Sequence, residues 1–276
     1  MTKIGEFLKK QPLITAIIGI AFAYGGINLL YYEGIFATGV HRFVLALMMC
    51  TFLYLISGKK TFKKCEKTTG YVIKRLSGIL IFAAVFCVIA IAVSVYQKAT
   101  LSSNWPIQSV LLLFMMIGVG LFEELAFRAV INDGIVYQFR DKKWVFAASA
   151  IISSLLFGYL HVIGYPVSTP LFLAQVILKT ISTGLWGFAF LIIYWKTRNI
   201  WACGILHGLY DYIIKIKDVI FASDNSLEPG YVNEGMIGRV AIGYYIFISI
   251  FMLILLLVLR SKVLKTIDFE EMRANW

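Results

Sequence analysis

Long apolar stretches alternate with short polar segments along almost the whole chain. A helix needs roughly 20 apolar residues to cross a hydrocarbon core of about 30 Å. Stretches of about this length lie at residues 12–31, 40–57, 78–96, 107–127, 144–160, 171–195, 199–216 and 238–260. The pattern therefore predicts an all-α fold, a polytopic membrane helix bundle of about eight transmembrane helices. No repeat or soluble segment interrupts it, so residues 1–276 are interpreted as a single integral membrane domain.

The sixth stretch, 171–195, is the least regular of the eight. Lys179 and the run Ser182-Thr183-Gly184 interrupt its apolar residues near the middle. This interruption predicts a kinked helix or two helical pieces. Two environments are open to Lys179: a carboxylate partner inside the bundle, or a polar crevice reached by its long aliphatic stem.

Charge adds an orientation to this picture. The chain is 60% hydrophobic, only 15% charged, and carries a formal net charge of +11. Lysine and arginine concentrate in alternate connecting segments, and cytoplasmic loops of membrane proteins show this excess. The basic segments are 58–77, 140–143, 196–198 and the tail with Lys262 and Lys265. The distribution predicts both termini in the cytoplasm, anionic headgroups of the lipid bilayer as partners and no nucleic-acid binding. The many lysines and short loops favour a bacterial plasma membrane.

Two adjacent carboxylates, Glu123 and Glu124, lie near the end of the fourth stretch. One carboxylate at bilayer depth costs roughly 2.5–3.5 kcal/mol on insertion scales, so such residues usually serve a function. On a helix, Glu124 and Arg128 share a face and can pair, whereas Glu123 points about 100° away. One carboxylate is then neutralised while the other can act as a general base. The alternative is a packing salt bridge with a spare glutamate at the helix interface.

Two of the three histidines also interrupt apolar stretches. His161 ends the fifth stretch, and His207 lies in the seventh, four residues before Asp211. Asp211 can hydrogen-bond the imidazole, fix its tautomer, or contact a substrate directly. A histidine in a membrane helix often only packs against its neighbours, but two of them beside carboxylates on separate helices favour a site. His41, next to Arg42 at the start of the second stretch, is interpreted as an interfacial residue outside this site.

Three motifs in this order resemble those of the CPBP intramembrane peptidases. This family includes the CAAX prenyl endopeptidases of the Rce type and bacterial Abi or bacteriocin-processing relatives. The motifs are Glu123-Glu124 with Arg128, Phe157 with His161, and His207 with Asp211. The resemblance covers residues 107–216, which would form the catalytic core. Many members have asparagine at the position of Asp211, and the additional negative charge would alter metal binding or proton affinity nearby.

The resemblance implies hydrolysis of a peptide bond in a membrane-associated peptide or protein. Glu123 would activate water, and Glu124 would assist or be held by Arg128. His161 and His207 would stabilise the oxyanion or bind a metal, and Asp211 would complete that side of the site. A Zn²⁺ ion held by His161, His207 and Glu123 is chemically adequate. The chain lacks His-Glu-x-x-His, so a mechanism without metal stays open.

Two other functions are compatible with these residues. A non-catalytic membrane partner could confer bacteriocin immunity or regulate a sensor or transporter, although such a protein would be expected to lose motif residues. A small transporter could use the same groups as a proton relay, but no internal repeat is visible. Among protease substrates, a peptide or protein is favoured over a prenylated one.

The predicted helix ends conflict with one shared site. Glu123 lies near the cytoplasmic end of stretch 107–127, while His161 lies roughly 25 Å along the fifth helix from that face. The conflict predicts that the fourth helix continues past Arg128 into residues 129–131 and beyond, which would place Glu123 deeper.

Overall fold

The computed structural model describes residues 3–29, 33–58, 69–221 and 230–275. This part of the chain is helical and contains no named strand, which confirms the all-α prediction. The helices are α1 Lys3–Lys10, α2 Pro12–Leu29, α3 Ile35–Ser57, α4 Thr69–Tyr96, α5 Trp105–Glu124, α6 Asn132–Gln138, α7 Val145–Leu160, α8 Pro170–Thr197, α9 Ile200–Ile220, α10 Gly235–Lys262 and α11 Phe269–Asn275. A π-helical segment, Leu125–Ile131, joins α5 to α6, and a 3-10 turn, Leu264–Thr266, follows α10.

Five of these elements are long and apolar enough to cross a membrane. They are Ile35–Ser57, Thr69–Tyr96, Trp105–Gln138, Pro170–Thr197 and Gly235–Thr266, and the shorter apolar helices are Pro12–Asn28 and Val145–Leu160. The seventh predicted stretch corresponds to α9, whose second half carries Lys215, Lys217 and Asp218. The polytopic bundle is confirmed, and the number eight stays a prediction.

The chain forms two compact units. The first comprises Met1–Gln138 and Thr197–Glu228, and the second comprises Phe139–Lys196 and Pro229–Trp276. In the first unit α5 packs against α3 and α9, and α4 also packs against α9. The assignment of one domain with a core at 107–216 stays a prediction.

The fourth helix continues well past its predicted end. α5, the π-helical segment and α6 run without interruption from Trp105 to Gln138, so the extension beyond Arg128 is confirmed. Every residue of the π-helical segment is buried. Asp133 of α6 is fully buried and accepts two hydrogen bonds from Arg198, at 3.1 and 2.7 Å. This ion pair anchors the extension to the segment that precedes α9.

The sixth stretch forms one continuous helix, α8, so the prediction of two helical pieces is wrong, while a kink stays a prediction. Its polar and small residues serve local bonding and close packing. Ser182 donates a hydrogen bond to the Lys179 carbonyl at 3.1 Å, and a Cβ atom on Gly158 of α7 would collide with the Thr180 carbonyl oxygen. The Lys179 ammonium lies 4.0 Å from the ring centroid of Tyr231, where a cation–π interaction stabilises it.

Candidate active site

Helices α5 and α9 contact each other backbone to backbone at three glycines. A Cβ atom on Gly120 would collide with the carbonyl oxygen of Gly204 and the amide nitrogen of Gly208. A Cβ atom on Gly208 would collide with the Met116 carbonyl oxygen. Small residues four apart allow such close approach between membrane helices. The contact places the carboxylates at the end of α5 beside the middle of α9.

Glu124 is the fully buried centre of a hydrogen-bonded group. Its Oε1 atom lies 3.1 Å from Nη2 of Arg128, which is the pair predicted from their spacing. The same oxygen lies 2.9 Å from Nδ1 of His207 on α9. A carboxylate oxygen accepts, so Nδ1 of His207 donates. Glu124 therefore fixes both the arginine and the orientation of the imidazole.

The other ring nitrogen of His207 faces two further carboxylates. Nε2 lies 3.5 Å from Oε2 of Glu123 and 3.3 Å from Oδ2 of Asp211. When Nδ1 carries the proton of a neutral ring, Nε2 has only a lone pair and would repel these oxygens. The geometry thus requires a proton on Nε2 or on one of the two carboxyl groups. These distances would allow a proton to be shared between Nε2 and a carboxyl group.

The site changes from buried to accessible across the imidazole. The exposed side-chain fraction is 0% for Glu124 and 5% for His207, but 21% for Glu123 and 27% for Asp211. Water or a substrate can therefore reach the two carboxylates at Nε2, while the Glu124–Arg128 pair is shielded. The more accessible glutamate is the one that the sequence predicts as the base.

Arg42 on α3 lies beside α5. Helix α3 begins at Ile35 and not at residue 40, so His41 and Arg42 lie in its second turn, and His41 is buried. The interpretation of His41 as an interfacial residue outside the site stays a prediction. The Cβ atom of Arg42 lies 3.2 Å from the place a Cβ on Gly118 would occupy, and its guanidinium is close enough to interact electrostatically with Glu123. No spacing along one helix links positions 42 and 123.

His161 belongs to the second unit, immediately after the end of α7. Its Nδ1 atom lies 2.7 Å from the carbonyl oxygen of Phe157 and donates to it, so the lone pair of the neutral ring lies on Nε2. The Phe157 ring packs edge-on against the imidazole, with centroids 4.7 Å apart. The five other predicted residues, which come together in the first unit, are Glu123, Glu124, Arg128, His207 and Asp211.

The predicted zinc ligands are divided between the two units. Glu123 and His207 lie in the first unit, and His161 lies in the second. Within the described ranges, no group of three or more histidine, cysteine, aspartate or glutamate side chains is placed to hold a metal ion. Zinc binding by His161, His207 and Glu123 stays a prediction for metal analysis of the purified protein, and the proposed mechanism assigns no step to a metal.

Comparison with known proteins agrees with the motifs. Residues 104–213 match the family model described as type II CAAX prenyl endopeptidase Rce1-like. The matched segment runs from the start of α5 to just beyond Asp211 and includes all six predicted site residues. The resemblance to the CAAX protease family is confirmed, and it supports an intramembrane protease, a hydrolase. No curated protein and no solved structure matches the chain.

The glycine contact gives the first testable prediction. We expect Gly208→Val to abolish activity and to lower the melting temperature in detergent, since overpacking costs roughly 1–3 kcal/mol and here the obstacle is backbone. The matched control is Gly243→Val in α10, where an added Cβ meets nothing within 4 Å. Thermal unfolding and peptide cleavage measure both effects. Wild-type behaviour of Gly208→Val would show that α5 and α9 do not need this close approach.

Proposed function

We propose that this protein is a glutamate-dependent intramembrane endopeptidase that hydrolyses a peptide bond in a membrane-associated peptide or protein. One observation carries the proposal. The His207 ring lies between the buried, arginine-paired Glu124 and the accessible Glu123, within helices of the matched segment. A packing salt bridge needs neither the second carboxylate nor the shared proton, whereas hydrolysis needs both.

Glu123 is the general base in this proposal. Its carboxylate takes one proton from a water molecule, and the resulting hydroxide attacks the carbonyl carbon of the scissile bond. The tetrahedral intermediate then collapses, the C–N bond breaks, and the nitrogen leaves with a proton supplied from the group formed by Glu123, His207 and Asp211. Proton transfer by positioned side chains typically contributes 10²- to 10⁴-fold to the rate.

Glu124 and Arg128 act through His207. The Glu124 carboxylate holds Nδ1 as a donor, so Nε2 faces the reacting groups in a fixed tautomer. Arg128 balances the charge of Glu124 where water cannot. Arg42 adds a second positive charge to a site with three carboxylates. His161, by its motif, would contact the developing oxyanion or the leaving group.

The substrate class follows from the membrane setting and the family. The matching family model is described as type II CAAX prenyl endopeptidase Rce1-like. For this chain we propose a membrane-associated peptide or protein, and we favour one without a prenyl group, because the short, lysine-rich loops are of prokaryotic style.

The proposal is tested with purified protein in liposomes and membrane-anchored peptides, prenylated and unprenylated, in H₂¹⁸O. Hydrolysis places one ¹⁸O atom in the new C-terminal carboxylate, which mass spectrometry detects. We expect labelled products from the wild type and none from Glu123→Gln. Equal products from both proteins would reveal a contaminating protease and reject the assignment. A complete lack of products, with metal added or chelated, would favour the non-catalytic partner.

A further inference from the structure

The second unit contains a cavity that the proposed protease chemistry does not use. A cavity of about 450 Å³ is lined by Lys143 and the first turns of α7, the C-terminal half of α8, the 3-10 turn after α10, and α11. Its lining combines aromatic rings with three charged side chains. Cavities of this size hold small molecules or lipid chains. The combination of an apolar wall and a charged rim defines an amphiphilic ligand.

Three aromatic rings form the apolar wall and attach α11 to the unit. Phe146 and Trp195 pack edge-on, with centroids 5.7 Å apart, and Phe269 lies 5.0 Å from Phe146 and 5.8 Å from Trp195. Edge-on packing of this kind is favourable beyond the buried area. Phe188 extends the wall along α8. An aliphatic chain is the complement of such a surface.

The rim carries Lys143, Arg273 and Glu270. Arg273 forms an ion pair with Glu270, one turn before it. Even so, the Nε atom of Arg273 is buried and has no hydrogen-bond partner in the described part of the chain. Buried donors are normally paired, so this N–H indicates an acceptor supplied by a ligand. The formal charge of the rim is one positive unit, which matches a singly charged phosphodiester.

Further basic residues lie near the cavity, at the C-terminal end of α8 and after α10. The ends of α8 and α10 meet there, and Lys196 donates a hydrogen bond to the Thr266 carbonyl at 2.6 Å. Lys262 and Lys265 lie in the same segment. Trp144 and Trp195 lie at this level, as aromatic residues at a membrane interface do. Basic clusters in this position attract anionic headgroups.

We propose that this cavity binds an anionic phospholipid. The phosphodiester contacts Lys143 and the buried Nε–H of Arg273, and one acyl chain lies against Phe146, Trp195 and Phe269. None of the residues in the proposed protease chemistry lines this cavity, so the proposal is independent of that chemistry.

The test uses delipidated full-length protein in detergent, with dioleoyl-phosphatidylglycerol, dioleoyl-phosphatidylcholine and glycerol phosphate as probes. Native mass spectrometry counts bound lipid, and thermal unfolding reports stabilisation. We expect one phosphatidylglycerol per chain, at least tenfold weaker binding of phosphatidylcholine, and no stabilisation by glycerol phosphate. Equal binding of the two lipids, or equal stabilisation by glycerol phosphate, would overturn the proposal.

Amino-acid substitutions distinguish the contribution of the charged rim to lipid binding from that of the apolar wall. Lys143→Gln and Arg273→Gln remove charge, and Ala147→Trp fills the cavity without removing a charge. We expect each to weaken phosphatidylglycerol binding at least tenfold. Lys265→Gln is the matched control, because Lys265 is exposed at the same end but does not line the cavity. If Arg273→Gln is unfolded in the absence of lipid, the lipid binding of Lys143→Gln and Ala147→Trp decides whether the proposal holds. Binding that depends equally on Lys265 would indicate only general attraction to a basic surface.

Discussion

Glu123→Gln is expected to lower the rate of peptide hydrolysis by about 10²- to 10⁴-fold. Glutamine has nearly the same shape and can keep the contact with His207, but its amide cannot take a proton from water. The fold should therefore survive the change. Initial rates on a membrane-anchored peptide measure the effect, with thermal unfolding as the check on folding. Glu33→Gln, at an exposed glutamate in the same unit, is the control and should cleave at the wild-type rate.

The same substitution at Glu124 tests whether the two glutamates have different roles. Glu124→Gln keeps Glu123 and removes the charge that pairs with Arg128 and orients Nδ1 of His207. Its activity should fall together with its melting temperature, because Arg128 would then be a buried charge without its counter-ion. Loss of activity in Glu124→Gln alone, with Glu123→Gln fully active, would exchange the roles of the two glutamates.

His207→Ala is expected to abolish measurable cleavage and also to destabilise the protein. In the described part of the chain, the imidazole contacts Glu123, Glu124 and Asp211 at once. Without it, Glu124 loses a buried hydrogen bond to a charged group, a change worth about 1.5–3 kcal/mol. Cleavage rate and melting temperature should therefore fall together.

His41→Ala is the comparison for the histidine. His41 is as buried as His207 but lies on α3, outside the proposed chemistry. It should lose stability without losing the rate per folded molecule. Cleavage by His207→Ala at the wild-type rate would exclude the imidazole from the reaction and leave helix packing as its only role.

The parts of the site that could be predicted from sequence lie within single helices. Glu124 with Arg128, and His207 with Asp211, are four residues apart, and helix geometry alone brings such pairs together. The contact between Glu124 and His207 joins residues 83 positions apart, and it depends on the close approach at Gly120 and Gly208. Spacing carries no information about that approach. The position of Arg42 beside α5 could not be predicted for the same reason.

Hydropathy found the helices but not their ends. Helix α4 begins at Thr69, although the apolar stretch begins at residue 78. The residues before this stretch, including Lys74 and Arg75, are also helical. Asn132 and Asp133 likewise continue the fourth helix, since buried partners such as Arg198 satisfy them. In α8, small and polar residues near the middle serve packing and do not break the helix. In these cases, contacts with residues distant in sequence determine whether the helix continues.

The π-helical segment Leu125–Ile131 sets the rotational phase between two halves of one long helix. Bonds from residue i to i+5 accommodate one more residue per turn than an α-helix does. If the same seven residues were α-helical instead, α6 would be turned by roughly 100° relative to α5. Asp133 would then face away from Arg198 while Glu123 kept its place. The Asp133–Arg198 ion pair therefore depends on the π-helical conformation of this segment, and a change that converts it to α-helix without removing a residue should break the pair.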